Sequence, residues 1–563
     1  MNSLTRPVPM TQELIHQLLH TPQAFGHAAP GLQCLQTHIS WIVLAGAHAY
    51  KFKKPLALDF LDYSTAAKRL AACEEELRIN RRTAPALYLG VVAVTGPLEA
   101  PRVVAREHLA PDTPVLDWAV HMRRFAQEAL LSEHAAHGTL RPEHIDALAH
   151  QVARFHQDAA VAADQHDWGQ PQALRAAVTG NFATLHQAPL DPAQQALLAS
   201  LETWSQTQSE RLAPLLTQRR QQGWVRECHG DLHLGNLVMV DGQPQLFDAI
   251  EFNPDFRWID VLADLAFLRM DLQAHGHDDL ATRLLNTYLE LTGDYAGLPL
   301  LTYYTVYRAL VRAKVAALPL VLSVPAPGTN APAAPQDTAA VSTQASDSAL
   351  ADARQALQRY LALAQRLTQP MPCALWLTTG LSGSGKSSQT QPLIEARGLI
   401  RLKADVERKR LFGLPPLARS EDTVPGGIYT PQATERTYAR LAELAHSVLS
   451  AGWPVLVDAT CLRRAQRDLF RQVARAHDVP CQVLALQAPL SVLRERIMQR
   501  SQTAADPSEA NLAVLEAQLR AQEPLGADEL ADTLVIDTRR PVDWTHWLPP
   551  ADTASPPPSH APA

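Results

Sequence analysis

The chain has 563 residues, 46% of them hydrophobic and 19% charged, which is ample material for more than one core and excludes wholesale disorder. Against 57 Asp and Glu stand 50 Lys and Arg, a formal charge of -7, so no overall basic field draws nucleic acid or anionic lipid to it. The six cysteines are scattered without C-x-x-C spacing and the N-terminal MNSLTRPVPMTQEL lacks an apolar run, so the expectation is a reduced, cytoplasmic protein with no membrane span.

The first block opens with short β-like runs at residues 39–44, 49–52 and 88–94 and reads as mainly helical from about Val115, apart from a hairpin near residue 240. A small β-containing lobe followed by a helical lobe is expected. Within the helical part stands His229-Gly230-Asp231-Leu232-His233-Leu234-Gly235-Asn236, then an apolar run, the turn Asp241-Gly242, and a second run ending at Asp248. Asp-Gly between apolar runs makes a hairpin, which folds Asp248 back beside Asn236 and Asp231. One carboxylate can then receive a hydroxyl proton, while an amide and a second carboxylate hold magnesium, the set that phosphoryl transfer needs. His229 is expected to support the loop, and His233 stands equally well on the surface.

The pattern H-G-D-x-H-x-x-N, with an Asp 12 residues beyond the Asn, resembles the aminoglycoside phosphotransferase and choline-kinase branch of the protein-kinase-like fold, over about residues 25 to 320. The resemblance implies an α+β bilobal domain with Asp231 as catalytic base and Asn236 and Asp248 as magnesium ligands. It assigns Asp260 or Asp264 to buttressing the loop, with helix capping as the competing role. It also implies a strand lysine paired to a helix glutamate that positions the ATP phosphates. Lys51 and Lys53, on one face of Ala49-Tyr50-Lys51-Phe52-Lys53, both qualify. Glu76 is the chosen partner, a solvated face of Glu74, Glu75 and Glu76 being the alternative. No G-x-G-x-x-G precedes that strand, and only Gly46 lies in the hairpin before it.

Residues 323–348 turn to Pro, Ala, Thr, Ser, Gln and Asp and lose hydrophobic periodicity, which predicts a disordered linker. A similar tail is expected at 549–563, so the front domain spans 1–322 and the second 349–548.

The second block starts with a helix at 349–367 and then alternates apolar strands at 374–378, 454–457, 482–486 and 533–536 with helical patterns, the signature of an α/β fold with a parallel sheet. After its first strand, Gly380-Leu381-Ser382-Gly383-Ser384-Gly385-Lys386-Ser387 matches G-x-x-x-x-G-K-[ST] in the context the motif requires. Its glycines let backbone N–H groups wrap phosphates at a helix N-terminus, Lys386 reaches the terminal phosphates, and the Ser387 hydroxyl ligates magnesium. Gly380, Ser382, Gly383, Ser384, Gly385, Lys386, Ser387 and Ser388 form the candidate nucleotide site. Asp458, at a strand's carboxyl end, suits the magnesium's shell or, alternatively, caps the next helix. Asp405 can accept a proton from an attacking hydroxyl and Arg408, one turn on, can hold an acceptor or phosphate, against the alternative of a capped, solvated helix.

These residues resemble P-loop kinases of the gluconate-kinase, zeta-toxin and polynucleotide-kinase 5′-hydroxyl type, over about residues 372 to 540. In that group an Asp-x-x-Arg supplies the base and a substrate-binding arginine, here Asp405 and Arg408. An arginine-rich lid helix is implied, with Arg496 and Arg500 as i,i+4 neighbours aimed at ATP, a solvated arginine face being the alternative. As a whole the chain resembles bacterial proteins labelled bifunctional aminoglycoside phosphotransferase/ATP-binding protein, a label that describes folds more than substrates. The expected activity is ATP- and Mg2+-dependent transfer of the γ-phosphoryl to a hydroxyl of a small-molecule acceptor in one or both blocks. Two alternatives stand beside it. One is a nucleotide-operated regulatory switch. The other is a 5′-hydroxyl nucleic-acid kinase in the second block, for which Arg408, Lys409 and Arg410 and the helix with Arg463, Arg464, Arg467 and Arg471 supply basic side chains.

Overall fold

Runs rich in Val, Tyr and Phe near the N-terminus pair into an antiparallel sheet, as β-branched and aromatic side chains favour. Its strands are β1 (Gln33–Gln36), β2 (Ser40–Ala45), β3 (His48–Lys53), β6 (Tyr88–Thr95), β7 (Arg102–Ala105) and β8 (Val115–Arg123), in the order β1-β2-β3-β8-β6-β7. The small pair β4 (Ala57–Leu58) and β5 (Leu61–Asp62) follows β3. The computed structural model of the chain describes residues 10–58, 61–323, 339–418, 428–501 and 508–544. Contacts divide it into two units, Met1–Ala183 with Gln206–Asp271, and Thr184–Ser205 with Leu272–Ala563.

In the first unit the strands expected at 39–44, 49–52 and 88–94 are present, but helix does not begin near Val115. Val115–Arg123 is a strand between β3 and β6. With neighbours along both edges and apolar layers on both faces it shows no clean alternation, so its period was not diagnostic. On one face Val43, Tyr50, Phe52 and Val94 pack with Leu14, Ile15 and Leu18 of the helix Met10–His20. On the other, Ala49, Val91, Val120 and Met122 pack with Cys73 of the helix Ala66–Asn80 and with Val238, Val240 and Phe247. The last three belong to the hairpin of β10 (Leu237–Val240) and β11 (Gln243–Leu246) or follow it, and β9 (Val225–Glu227) pairs with β12 (Trp258–Asp260). The turn has φ 50° at Asp241 and 78° at Gly242, the paired positive values of a type I′ hairpin.

The second unit holds a parallel sheet of β13 (Leu375–Thr379), β14 (Ile400–Lys403), β15 (Val455–Asp458), β16 (Cys481–Gln487) and β17 (Thr533–Asp537), ordered β14-β15-β13-β16-β17. Crossover helices join successive strands, as parallel pairing demands. Strand β14 was not anticipated, because Ile400-Arg401-Leu402-Lys403 interleaves charges. Glu290 satisfies both, bonding Arg401 at 2.6 Å and lying 3.6 Å from Lys403. Glu290 sits on the helix Asp278–Thr292, whose Asn286 donates to Leu399 O (2.9 Å) and accepts from Arg401 N (2.6 Å), covering the open edge of β14. Residues 272–323, part of the first block by motif, therefore fall in the unit that holds the P-loop sheet.

Of the expected linker, residues 324–338 lie outside the described residues, and a helix runs from Ala339 to Thr368. The tail at 549–563 also lies outside them. All six cysteines are free thiols, and no helix among the described residues is long and apolar enough to cross a membrane.

Candidate functional site

In the first unit the loop before β10 is held from behind by Asp264, whose two oxygens accept from His229 N and Gly230 N, each at 2.9 Å. Burial pushes the Asp264 carboxyl up, but the His156 hydrogen bond and its other donors prevail and hold it below the usual range. Asp264 is thus the buttress, whereas Asp260 binds Arg219 (2.6 and 2.9 Å) and caps Leu262 N (2.9 Å). His229 is fully buried, and its Nδ1 accepts from Asp231 N (3.3 Å), so the imidazole is the Nε2–H tautomer donating to Phe247 O (2.9 Å). His233 is similarly engaged: its Nδ1 accepts from Gly235 N (3.1 Å), which leaves Nε2–H facing Asp231 Oδ2 at 3.3 Å.

The hairpin returns the chain to Asn236, whose O accepts from the N–H of Phe247, the residue before Asp248 (3.0 Å). Asn236 Nδ2 donates to Asp231 O (2.9 Å) and Oδ2 (3.0 Å), leaving its Oδ1 for another partner. Asp248 has φ 61°, a left-handed conformation uncommon for a residue with a side chain, and its N–H donates to Tyr88 Oη (3.0 Å). Lys51 donates to Glu76 Oε1 at 2.8 Å and is ion-paired to Asp248. Burial pushes the Lys51 ammonium down, but Asp248 and Glu76 outweigh it and hold its pKa well above the usual lysine value. Lys53 is fully buried and pairs with Glu76 and Glu251, while Asp248 is paired by Lys51. Glu76 is itself fully buried, which removes the solvated-face reading. Gly46, at φ 59°, turns between β2 and β3, where a Cβ would meet Ala28 O at 2.6 Å; close packing requires that glycine. Glu251, Tyr88 and Asn80, which donates to Glu76 O (3.0 Å) and accepts from Ala249 N (2.8 Å), were not singled out from sequence. Only Asn80 had a local signal, its i+4 spacing from Glu76.

In the second unit, Gly380 to Gly385 loop between β13 and the helix Lys386–Arg397. A Cβ at Gly380 would meet Leu486 O at 2.4 Å and one at Gly383 would meet Leu493 O at 2.8 Å, so the loop closes as a cradle only with glycine. Ser384 Oγ is buried there with no hydrogen-bond partner among the described residues. Lys386 Nζ curls back onto Gly380 O and Leu381 O, both at 3.0 Å, and Ser387 Oγ donates to Asp458 Oδ2 at 2.6 Å. A backbone cradle, a poised ammonium and a hydroxyl–carboxylate pair fit a nucleotide's phosphates and a hard cation. Asp231, Asn236 and Asp248 likewise offer oxygen atoms of the kind such a cation takes.

Gly383, Lys386, Ser387, Asp458, Asp405 and Arg408 line one cavity of about 1090 Å3. Arg408, on the helix Ala404–Leu411, is buried and donates to Ile428 O (3.0 Å) and Thr434 Oγ1 (3.2 Å). Tyr429, unremarked in the sequence, donates to Asp405 Oδ1 at 3.3 Å. Arg496, on the helix Leu490–Ser501, lines the same cavity and binds Gly383 O (3.3 Å) and Thr538 O (2.7 Å). Arg500 lies on that helix, its side chain outside the described residues. Gln518, also unanticipated, accepts from Ser382 N at 2.8 Å.

The class these features define is an α+β part built on an antiparallel sheet, followed by an α/β P-loop NTPase part with a parallel sheet. Residues 375–525, more particularly, match the family model of an AAA domain. Uncharacterised proteins of Mycobacterium tuberculosis and Mycobacterium bovis are each 28% identical over 488 residues, covering 87% of this chain and 90% of their own length. Among solved structures, a sugar kinase from Janibacter sp. covers 30% of this chain and 88% of its own at 24% identity and a TM-score of 0.24. A gluconokinase from Sinorhizobium meliloti covers 31% and 86% at 25% identity and 0.22. A choline/ethanolamine kinase family protein from Mesorhizobium loti covers 63% and 99% at 15% identity and 0.34.

Proposed function

We propose that the chain is an ATP-dependent phosphotransferase that moves the γ-phosphoryl of ATP to a hydroxyl of a small-molecule acceptor, with one centre in each unit. The observation that carries this reading is the cavity that P-loop, Asp458, Asp405 and Arg408 share. A phosphate-binding loop sits there with a carboxylate that is not engaged by Ser387, as transfer to a hydroxyl requires.

In the second unit the P-loop amides and Lys386 bind the phosphates, and Ser387 with Asp458 holds Mg2+. When bound, that ion neutralises charge on the phosphate oxygens. Asp405 takes the hydroxyl proton as the new O–P bond forms and the bond from phosphorus to the bridging oxygen breaks, ADP leaving. Arg408 orients the acceptor, while Arg496 covers the transferring group. In the first unit Asp231 takes the proton, Asn236 and Asp248 hold Mg2+, and Lys51, fixed by Glu76, meets the phosphates. Lys53 locks Glu76 and Glu251 in place.

Most of the basic residues on which the nucleic-acid alternative rests are already paired, although Arg463 is exposed at the cavity. Lys409 is buried against Glu509 (3.1 Å), Arg410 pairs with Glu407, and Arg467 makes a buried bidentate pair with Glu529 (2.7 and 2.9 Å). Arg464 is paired to Asp528 (3.0 and 2.6 Å). Purified protein incubated with γ-labelled ATP and a metabolite extract tests the proposal: label should enter a small molecule. Nucleotide binding without any transfer would favour the switch instead.

A further inference from the structure

We propose that Tyr429 is a positioning residue of the P-loop centre, one that aims the Asp405 carboxylate and ties it to the segment that enters the helix Leu512–Ala521. The inference rests on the reading of Asp405 as base. The Tyr429 hydroxyl donates to Asp405 Oδ1 (3.3 Å) and accepts from Glu509 N (3.2 Å). The guanidinium of Arg408 lies over its ring, 4.9 Å from the centroid. One side chain therefore touches the base, the arginine and the approach to the next helix.

Glu509 is held twice, by that backbone bond and by its carboxylate on buried Lys409 at 3.1 Å. Two residues on, Asn511 caps the helix by accepting from Val514 N (3.0 Å), and the helix carries Gln518 to Ser382 N of the P-loop (2.8 Å). The path from Asp405 through Tyr429 to this helix thus ends on the loop that cradles phosphate. Tyr429 is not itself the base. Burial and the neighbouring Asp405 charge both push its phenol up, so it stays protonated and can only donate to the carboxylate. Fixing one oxygen of Asp405 leaves the other to meet the acceptor, which is the geometric part of general-base catalysis.

The test uses the full chain carrying Asp231→Asn, which silences the first unit. ADP release from Mg·ATP, with water as acceptor, is compared for this parent and for Tyr429→Phe, Asp405→Asn and both together. Tyr429→Phe keeps the ring beneath Arg408 and removes only the hydroxyl. It is expected to lower kcat about tenfold while leaving KM for ATP nearly unchanged. In the Asp405→Asn background the same change should do nothing further, since the tyrosine acts through the carboxylate. An unaltered kcat, a loss that appears in KM for ATP instead, or an equal loss in the Asp405→Asn background would overturn the assignment. If ADP release persists undiminished in Lys386→Ala, or the parent releases none, the phosphotransfer reading itself fails and the role of Tyr429 with it.

Discussion

Lys51 and Asp248, 197 residues apart, form an ion pair at the mouth of the first unit's site, while Lys53, two residues from Lys51, is sealed inside with Glu251. The two lysines should therefore fail differently. Lys53→Met leaves the buried Glu251 carboxylate its bond from the Tyr63 hydroxyl but takes away its cation, and is expected to cost about 3–5 kcal/mol in urea melts. Lys51→Met leaves Glu76 its bond to Lys53 and leaves Asp248 in reach of water, so stability should fall by only about 1–2 kcal/mol. Its main effect should appear as weakened ATP binding to the first unit, measured by calorimetry. Equal stability losses with equal nucleotide affinity would contradict the assignment.

Each unit has its own candidate base, so loss of one should spare the other. Asp231→Asn and Asp405→Asn keep size and hydrogen bonding but remove the proton acceptor, and each is expected to slow its own unit by about a hundredfold to ten-thousandfold. Lys386→Ala should weaken ATP binding to the second unit about a hundredfold by removing the ammonium that meets the phosphates. Labelled-phosphate transfer by the single variants, after circular dichroism has checked folding, separates the two centres.

Acid should weaken the first unit before its carboxylates titrate. Burial holds the His229 imidazole below the usual histidine pKa, and burial with His48 holds His121 down to about 4. Unfolded, both histidines take up protons near pH 6.5, so below that value the unfolded state binds more protons and stability declines as pH falls. For His121 the decline runs from about pH 6.5 to about 4. Asp264, held below its ordinary 3.8, adds a loss only as pH drops further through its folded value. His121→Phe, which keeps an aromatic ring stacked on Tyr50, should flatten the upper part of this dependence in urea midpoints taken between about pH 7.5 and 5.

Asn286, 1% exposed, makes two bonds to the backbone beside β14, and Asn286→Ala leaves a buried carbonyl and a buried N–H without their partner. A loss of about 2–4 kcal/mol is expected in the second unit. The same contacts predict that a fragment of residues 349–548 melts below one beginning at 272, because the shorter piece exposes the edge of β14 and leaves Arg401 without Glu290. Equal melting temperatures would show that the sheet stands without the helix.

What the sequence by itself determined is what short-range chemistry encodes. The P-loop is legible because strand, glycines, lysine and serine are contiguous and each has a local geometric duty, and the Asp241-Gly242 hairpin likewise announces the return of Asp248 toward Asn236. The parallel sheet was readable wherever apolar strands were uninterrupted, and unreadable at β14, where Arg401 and Lys403 break the pattern. Their partner Glu290 lies more than a hundred residues upstream. The tertiary structure alone decided the rest. Alternation places Lys51 and Lys53 on one face and cannot rank them, since the distinction comes from Asp248 and Glu251, brought there by the hairpin and the chain after it. The basic runs at 408–410 and 463–471 look like a surface for nucleic acid until Glu509, Asp528 and Glu529 pair with Lys409, Arg464 and Arg467. A single sequence shows which residues can ionise and how neighbours are spaced. Charge neutralisation, burial and the aim of a side chain depend on partners distant in sequence, and only the packed chain supplies those.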